Sequence, residues 1–181
     1  MPAPDINSNY YIMTAYGGWS PCVEGNNAHG LRPFPGSVIP NCSGFATGRY
    51  NEVLNLGACT WLGSWNGGDF LVNGMAQGLP AGTDPVVGGA MVWRDNSEGH
   101  VAIVEQIVSS TQIIVSESGW NYTVPPVWRY VTLNYNGGRW HSNTSYRYQG
   151  CVYPPGTPPG PLPVDELEFL AAIIPFLRED D

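Results

Sequence analysis

The chain contains no lysine. Its seven basic residues are all Arg, against fifteen Asp and Glu, for a formal net charge of −8 and a pI near 4.6. Nucleic-acid binding rewards clustered Lys and Arg, so this balance argues against such a partner. Long apolar runs are also missing, and no segment nears the roughly 18 residues of a membrane span. The four cysteines, at 22, 42, 59 and 151, show no CxxC or Cys/His ligand spacing. Zinc is therefore not expected, and neither is any other cofactor. Cys22 and Cys151 flank the domain and are candidates for a pair, although connectivity cannot be read from cysteine positions. The first residues, Met1 to Met13, lack the basic region and apolar run of an export signal. The expectation is a soluble chain that does not export itself.

What is present is a chain of 181 residues, 43% hydrophobic, with 23 Gly, 17 Pro, 7 Trp and 10 Tyr. That allows one domain of ordinary size plus an appendage. Residues 1–40 read as irregular, with a short helical possibility around Asn9–Ala15. Helical periodicity follows from Cys42 to about Asn55, and a weaker helix spans Asp69–Gln77, with Asp69 as its N-cap. Leu79-Pro80-Ala81-Gly82 ends it. Beyond residue 86 the period is that of strands: Ala90–Arg94, Val101–Val108, Gln112–Ser116, Val127–Leu133 and Ser145–Tyr153, with a strong turn signal at Asn136-Gly137. Helices first and strands afterwards predict an α+β domain over 1–152, with an antiparallel sheet of about five or six strands. Residues 153–163 are rich in Pro and read as a stiff extended linker. Residues 164–181 read as an acidic, apolar helix opened by Asp165 with Glu168 as a capping-box partner. Apolar residues spread around that helix, so it should dock on this domain, on a second copy or on another protein, or else begin a further module.

The organising stretch is Asn41-Cys42-Ser43-Gly44-Phe45-Ala46. A cysteine in the first turn of a helix feels the positive end of the helix dipole and nearby unpaired N–H groups, which favour a thiolate nucleophile. A buried, inert thiol is the plain alternative. A nucleophile needs a base and an orienting group. His29 and His141 lie in turn-like segments and read as surface residues, whereas His100 opens the apolar strand Val101-Ala102-Ile103-Val104. Glu117 ends the strand Ile113-Ile114-Val115-Ser116. A hairpin turning at Ser109-Ser110 pairs positions that sum to 219, which makes His100 and Glu117 diagonal neighbours on one face, about 7–8 Å apart at the backbone. A slip of one residue would separate them, and each could instead be an ordinary strand-end residue.

These segments resemble the CHAP domain, the cysteine, histidine-dependent amidohydrolase/peptidase group of phage lysins and bacterial wall hydrolases. The resemblance is carried by Asn41-Cys42-Ser43-Gly44-Phe45-Ala46, Pro85 to Trp93, Gly99-His100 and Ser116-Glu117-Ser118-Gly119-Trp120, over roughly residues 10–152. It implies a papain-like fold and cleavage of amide bonds in bacterial peptidoglycan. By position, Cys42 would be the nucleophile, His100 the base and Glu117 its orienting partner, with Trp120 and Asn121 touching substrate. Gly89 stands where many relatives have Asp, and Gly119 where many have Asn. Some relatives bind calcium through acids just before the nucleophile, but residues 30–41 contain none, so no metal is expected. Trp61, Trp65, Trp120 and Trp128 could line a groove or simply pack.

An acidic lysin gains no electrostatic attraction to an anionic wall. That suits delivery by a phage, as an endolysin held in the host cytoplasm until lysis or as a virion tail component. The alternatives are a non-catalytic wall- or glycan-binding module and a thiol peptidase acting on proteins.

Overall fold

The computed structural model describes residues 1–5, 8, 10–13, 18–19, 42–56, 61–62, 66–95, 99–118, 128–141 and 145–162. Strands β1 (Ile12–Met13) and β2 (Gly18–Trp19) form an antiparallel pair, Ile12 opposite Trp19. The helical turn expected at Asn9–Ala15 is thus replaced by an antiparallel strand pair, because so short a helix is marginal without tertiary support. Helix α1 (Cys42–Val53) begins two residues after Pro40 and is buried from Cys42 through Asn51. A 3-10 turn (Gly67–Asp69) leads into α2 (Phe70–Ala76). Asp69 holds the N-cap position but makes no side-chain cap bond; its carboxylate instead meets Arg94 at 3.0 Å.

Seven further strands form one sheet in the order β3-β9-β4-β5-β6-β7-β8, with every pair antiparallel. They are β3 (Ala81–Gly82), β4 (Ala90–Arg94), β5 (Gly99–Ser109), β6 (Gln112–Ser118), β7 (Trp128–Asn136), β8 (Arg139–Trp140) and β9 (Arg147–Val152). The fold is the expected mixture of helix and antiparallel sheet, but among the described residues the sheet has seven strands rather than five or six. The two unforeseen strands, β3 and β8, are the sheet's edges, and at two residues each they are too short to show alternation. Gly137 and Gly138 turn β7 into β8 with φ of +60° and +81°, the mirror-image turn that suits a two-residue hairpin.

The β5–β6 hairpin differs from the expected one at its tip. Its turn is Ser110-Thr111, with Ser109 opposite Gln112. Two irregularities along β5 then absorb the difference, so that Val104 faces Val115 and Ile103 faces Ser116. At the His100 end the register is therefore the one that sums to 219.

Alternation divides the core into two layers. Ala90, Val92, Val101 and Ile103 face the helices, packing with Ala46, Tyr50, Phe70 and Leu71. Met91, Trp93, Ala102 and Val104 face the other way, against Ile113, Val115, Leu133 and Trp140. The second layer exists because the sheet coils on itself: Trp93 Nε1 donates to the carbonyl of Trp140 at 3.1 Å, bringing the far edge over β4. Cys151 lies in this layer as a free, buried thiol and is in no disulfide. Burial pushes that thiol up to about 12; Cys22 and Cys59 lie outside the described residues.

The Pro-rich segment runs along the sheet edge. Gly160 N–H donates to the Ala81 carbonyl, Thr83 N–H to the Pro161 carbonyl, and Leu162 packs on the helix-side core. The helix expected over 164–181 lies outside the described residues. Among those described, no helix is long and apolar enough to cross a membrane.

Gly99 shows how tightly the start of β5 is seated. A Cβ there would lie 2.2 Å from the backbone of Gly68 and 2.6 Å from the Trp93 carbonyl. Backbone cannot rotate away as a side chain can, so Gly99→Ala should destabilise by about 1–3 kcal/mol, the usual range for overpacking. Urea unfolding measures the loss, and the displaced His100 should reduce activity in parallel.

Candidate active site

Cys42 is the first residue of α1, and no acidic side chain in that first turn offsets the helix dipole. The thiol is 5% exposed and sits against the start of the central strand β5, where His100 and the Val101 backbone N–H both favour its thiolate form. Ser43 Oγ lies 4.0 Å from the sulfur.

His100 is set opposite Trp93 by the β4–β5 register, and the two rings are 5.9 Å apart. Its Nε2 lies 2.7 Å from Glu117 Oε2, which leaves Nδ1 as the nitrogen for the thiol. Alternation explains why the carboxylate is there: Ser116 faces Ile103 on the helix side, so Glu117 projects to the face that carries His100. Glu117 is 2% exposed.

The electrostatics point to an ion pair. Burial pushes the Cys42 thiol up, but the His100 hydrogen bond, the nearby imidazolium charge, Val101 N–H and Ser43 together bring it below its ordinary 9.0. Burial pushes His100 down, yet hydrogen bonds to Cys42 and Glu117 and the charges they carry raise it to about 10. Both shifts favour thiolate beside imidazolium.

Residues 33–119 match the family model of the CHAP domain. The matched stretch is just under half of the chain. It contains Cys42, His100 and Glu117, and it ends before Trp120 and Asn121, which lie outside the described residues. CHAP domains are generally cysteine- and histidine-dependent amidohydrolases, and the row of Cys42, His100 and Glu117 is the part of this CHAP match able to do such chemistry. Among the described residues no group of His, Cys, Asp or Glu converges as metal ligands would. His141 Nε2 bonds the Asn136 carbonyl at an exposed turn. Of the tryptophans proposed for a groove, Trp61 packs partly buried against the helix-side core, while Trp128 stacks on Phe45 with centroids 6.1 Å apart. Trp65 lies outside the described residues.

One residue at the site lies beyond the CHAP match and was not foreseen. Arg129, opposite Glu117 in the β6–β7 register, donates to Glu117 Oε1 from Nε at 3.1 Å and from Nη2 at 2.8 Å. One carboxylate oxygen thus faces arginine and the other histidine. No spacing rule finds Arg129, because the β6–β7 register joins strands too far apart in sequence for residue patterns to fix it. Arg129→Gln removes a cation near the imidazolium, so the basic limb of the pH–rate profile should move up. The turnover number should fall roughly tenfold, less than the 10²–10⁴ of complete acid–base catalysis. Stopped assays across pH provide the check.

Proposed function

We propose that the chain is a cysteine hydrolase that cuts amide bonds of bacterial peptidoglycan. The observation carrying this reading is the row Cys42–His100–Glu117, with the sulfur at a helix N-terminus and its imidazole held through the far nitrogen. The CHAP match supports the substrate class.

In this reading Cys42 thiolate attacks the amide carbonyl carbon, and the new C–S bond pushes the electron pair onto oxygen. Backbone N–H groups at the start of α1, including that of Cys42, stabilise the oxyanion. The imidazolium of His100 protonates the departing amine, leaving an acyl-enzyme. Neutral His100 then takes a proton from water, which attacks the thioester and releases the acid and the thiolate. Glu117 keeps the ring oriented and steadies its charged form. Trp120 and Asn121 come shortly after β6 in the sequence and are assigned to substrate contact.

Residues 1–152 would form the catalytic unit and 164–181 a docking helix. The net charge of −8 disfavours free approach to an anionic wall, which suits a phage endolysin or a virion tail component that is delivered to its substrate. Mass spectrometry of digested sacculi tests the proposal. A new N-terminal alanine at the glycan junction means amidase, and a new terminus within the peptide means endopeptidase. Intact sacculi beside cleaved protein substrates would favour a general thiol peptidase instead. If Cys42→Ala binds sacculi as the parent does and neither cleaves, the binding-module reading wins.

A further inference from the structure

A second recess lies apart from Cys42, where the coiled sheet brings the β7–β8 turn toward the start of β9. Its volume is about 860 Å3, and it lies between Tyr135, Arg139 and His141 on one side and Asp84, Arg147 and Tyr148 on the other. Tyr148 is anchored there by its hydroxyl, which donates to the Thr83 carbonyl at 2.9 Å, and by ring contact with Trp93 at 5.6 Å. That size is typical of a ligand groove.

Its chemistry stands out in so acidic a chain. Arg139 and Arg147 both line this groove and are exposed, with His141 beside them. Tyr135 adds a ring face that is 43% exposed and braced by Trp140 at a centroid distance of 5.3 Å. At Gly137 and Gly138 a Cβ would meet nothing within 4 Å, so that rim is open. Asp84 offers an acceptor for hydroxyl groups and disfavours a densely charged polyanion. Guanidinium groups for acids, a carboxylate for hydroxyls and a rigid ring for stacking together suit one kind of ligand.

We propose that this groove binds an anionic polyhydroxyl polymer, a sugar or polyol chain with acid groups spaced along it. Arg139 and Arg147 hold the acid groups, Asp84 accepts from hydroxyls and Tyr135 stacks on the carbon face. Screening confines electrostatics to about 8 Å at physiological salt. A local cationic groove can therefore hold such a polymer although the whole chain repels it.

The test uses the full chain carrying Cys42→Ala, so that nothing is digested, in cosedimentation with purified sacculi. One preparation keeps its covalently attached polyol-phosphate polymer, and another is stripped of it by hydrofluoric acid. Adding Arg139→Gln with Arg147→Gln should weaken binding roughly fivefold or more, as expected for two exposed charges. Tyr135→Ala should weaken it independently, and melting curves establish that each variant is folded. Loss confined to the unstripped wall identifies phosphate as the acid; loss on both identifies carboxylates of the glycan. Equal binding of folded parent and variants to both preparations overturns the proposal. With Cys42 intact, the double arginine variant should cleave a short soluble wall peptide at the parent rate. A parent that cleaves nothing yet shows arginine-dependent binding would defeat the hydrolase reading and leave the groove standing.

Discussion

Cys42→Ala should lower sacculus hydrolysis by about four to six orders of magnitude, the usual consequence of removing a covalent nucleophile. Binding should survive, because the substitution removes one small buried atom and leaves the surface unchanged. Turbidity of a sacculus suspension follows the rate, and cosedimentation follows the binding. The pH profile of the parent adds a check specific to the ion pair. In the proposed mechanism Cys42 acts deprotonated, and its pKa is held below the ordinary 9.0 by His100, so the acid limb should lie below that value. That mechanism also needs His100 protonated, and its pKa is raised to about 10, so the basic limb should lie far above that of an ordinary imidazole. Glu117→Gln removes a negative charge that favours imidazolium, and should move the basic limb down. A nucleophile variant that clears sacculi at the parental rate would exclude thiol chemistry altogether.

Arg49→Ala should be the most damaging substitution away from the reaction centre, costing about 3–5 kcal/mol, the range for breaking a buried ion pair from one side. Arg49 is 1% exposed and grips Glu105 with two hydrogen bonds of 2.7 Å. It also meets Glu52 at 2.6 Å and donates to the Pro2 carbonyl. Ser116 Oγ donates to Glu105, while Tyr11 and the Asp5 N–H donate to Glu52. One cation therefore joins the helix of Cys42, the strand of His100 and the N-terminal segment. Without it two carboxylates lose their buried counter-charge, a large loss against the 5–15 kcal/mol of a typical domain. Urea titration should show the midpoint falling steeply. Replacing both Arg49 and Glu105 with Met should cost less than Arg49→Ala, because fewer charges are then left buried and unpaired. A double variant at least as unstable as the single one would show that packing, rather than charge, dominates the site.

Several features were legible because they rest on local rules. The start of α1 follows from Pro40 and from apolar spacing. Strands β4 to β7 and β9 follow from runs of Val, Ile, Tyr and Trp, and the β7–β8 turn from adjacent glycines. The nearness of His100 and Glu117 follows from a hairpin whose two arms are consecutive in sequence. Even there, the misread turn and the β5 irregularities compensate by geometry that no residue pattern announces. Arg94 drawing Asp69 from its cap, Arg129 on Glu117, and Arg49 between two glutamates are all contacts across elements. They depend on the coil of the sheet and on the register of strands joined by long connections.

What the residue order determined by itself was periodicity: which segments are helix or strand, and which side of each is apolar. The choice between an inert Cys42 and a thiol paired with imidazole belonged to tertiary structure. A pKa depends on distances of a few ångströms between groups that lie 58 and 17 positions apart along the chain, and only packing sets those distances.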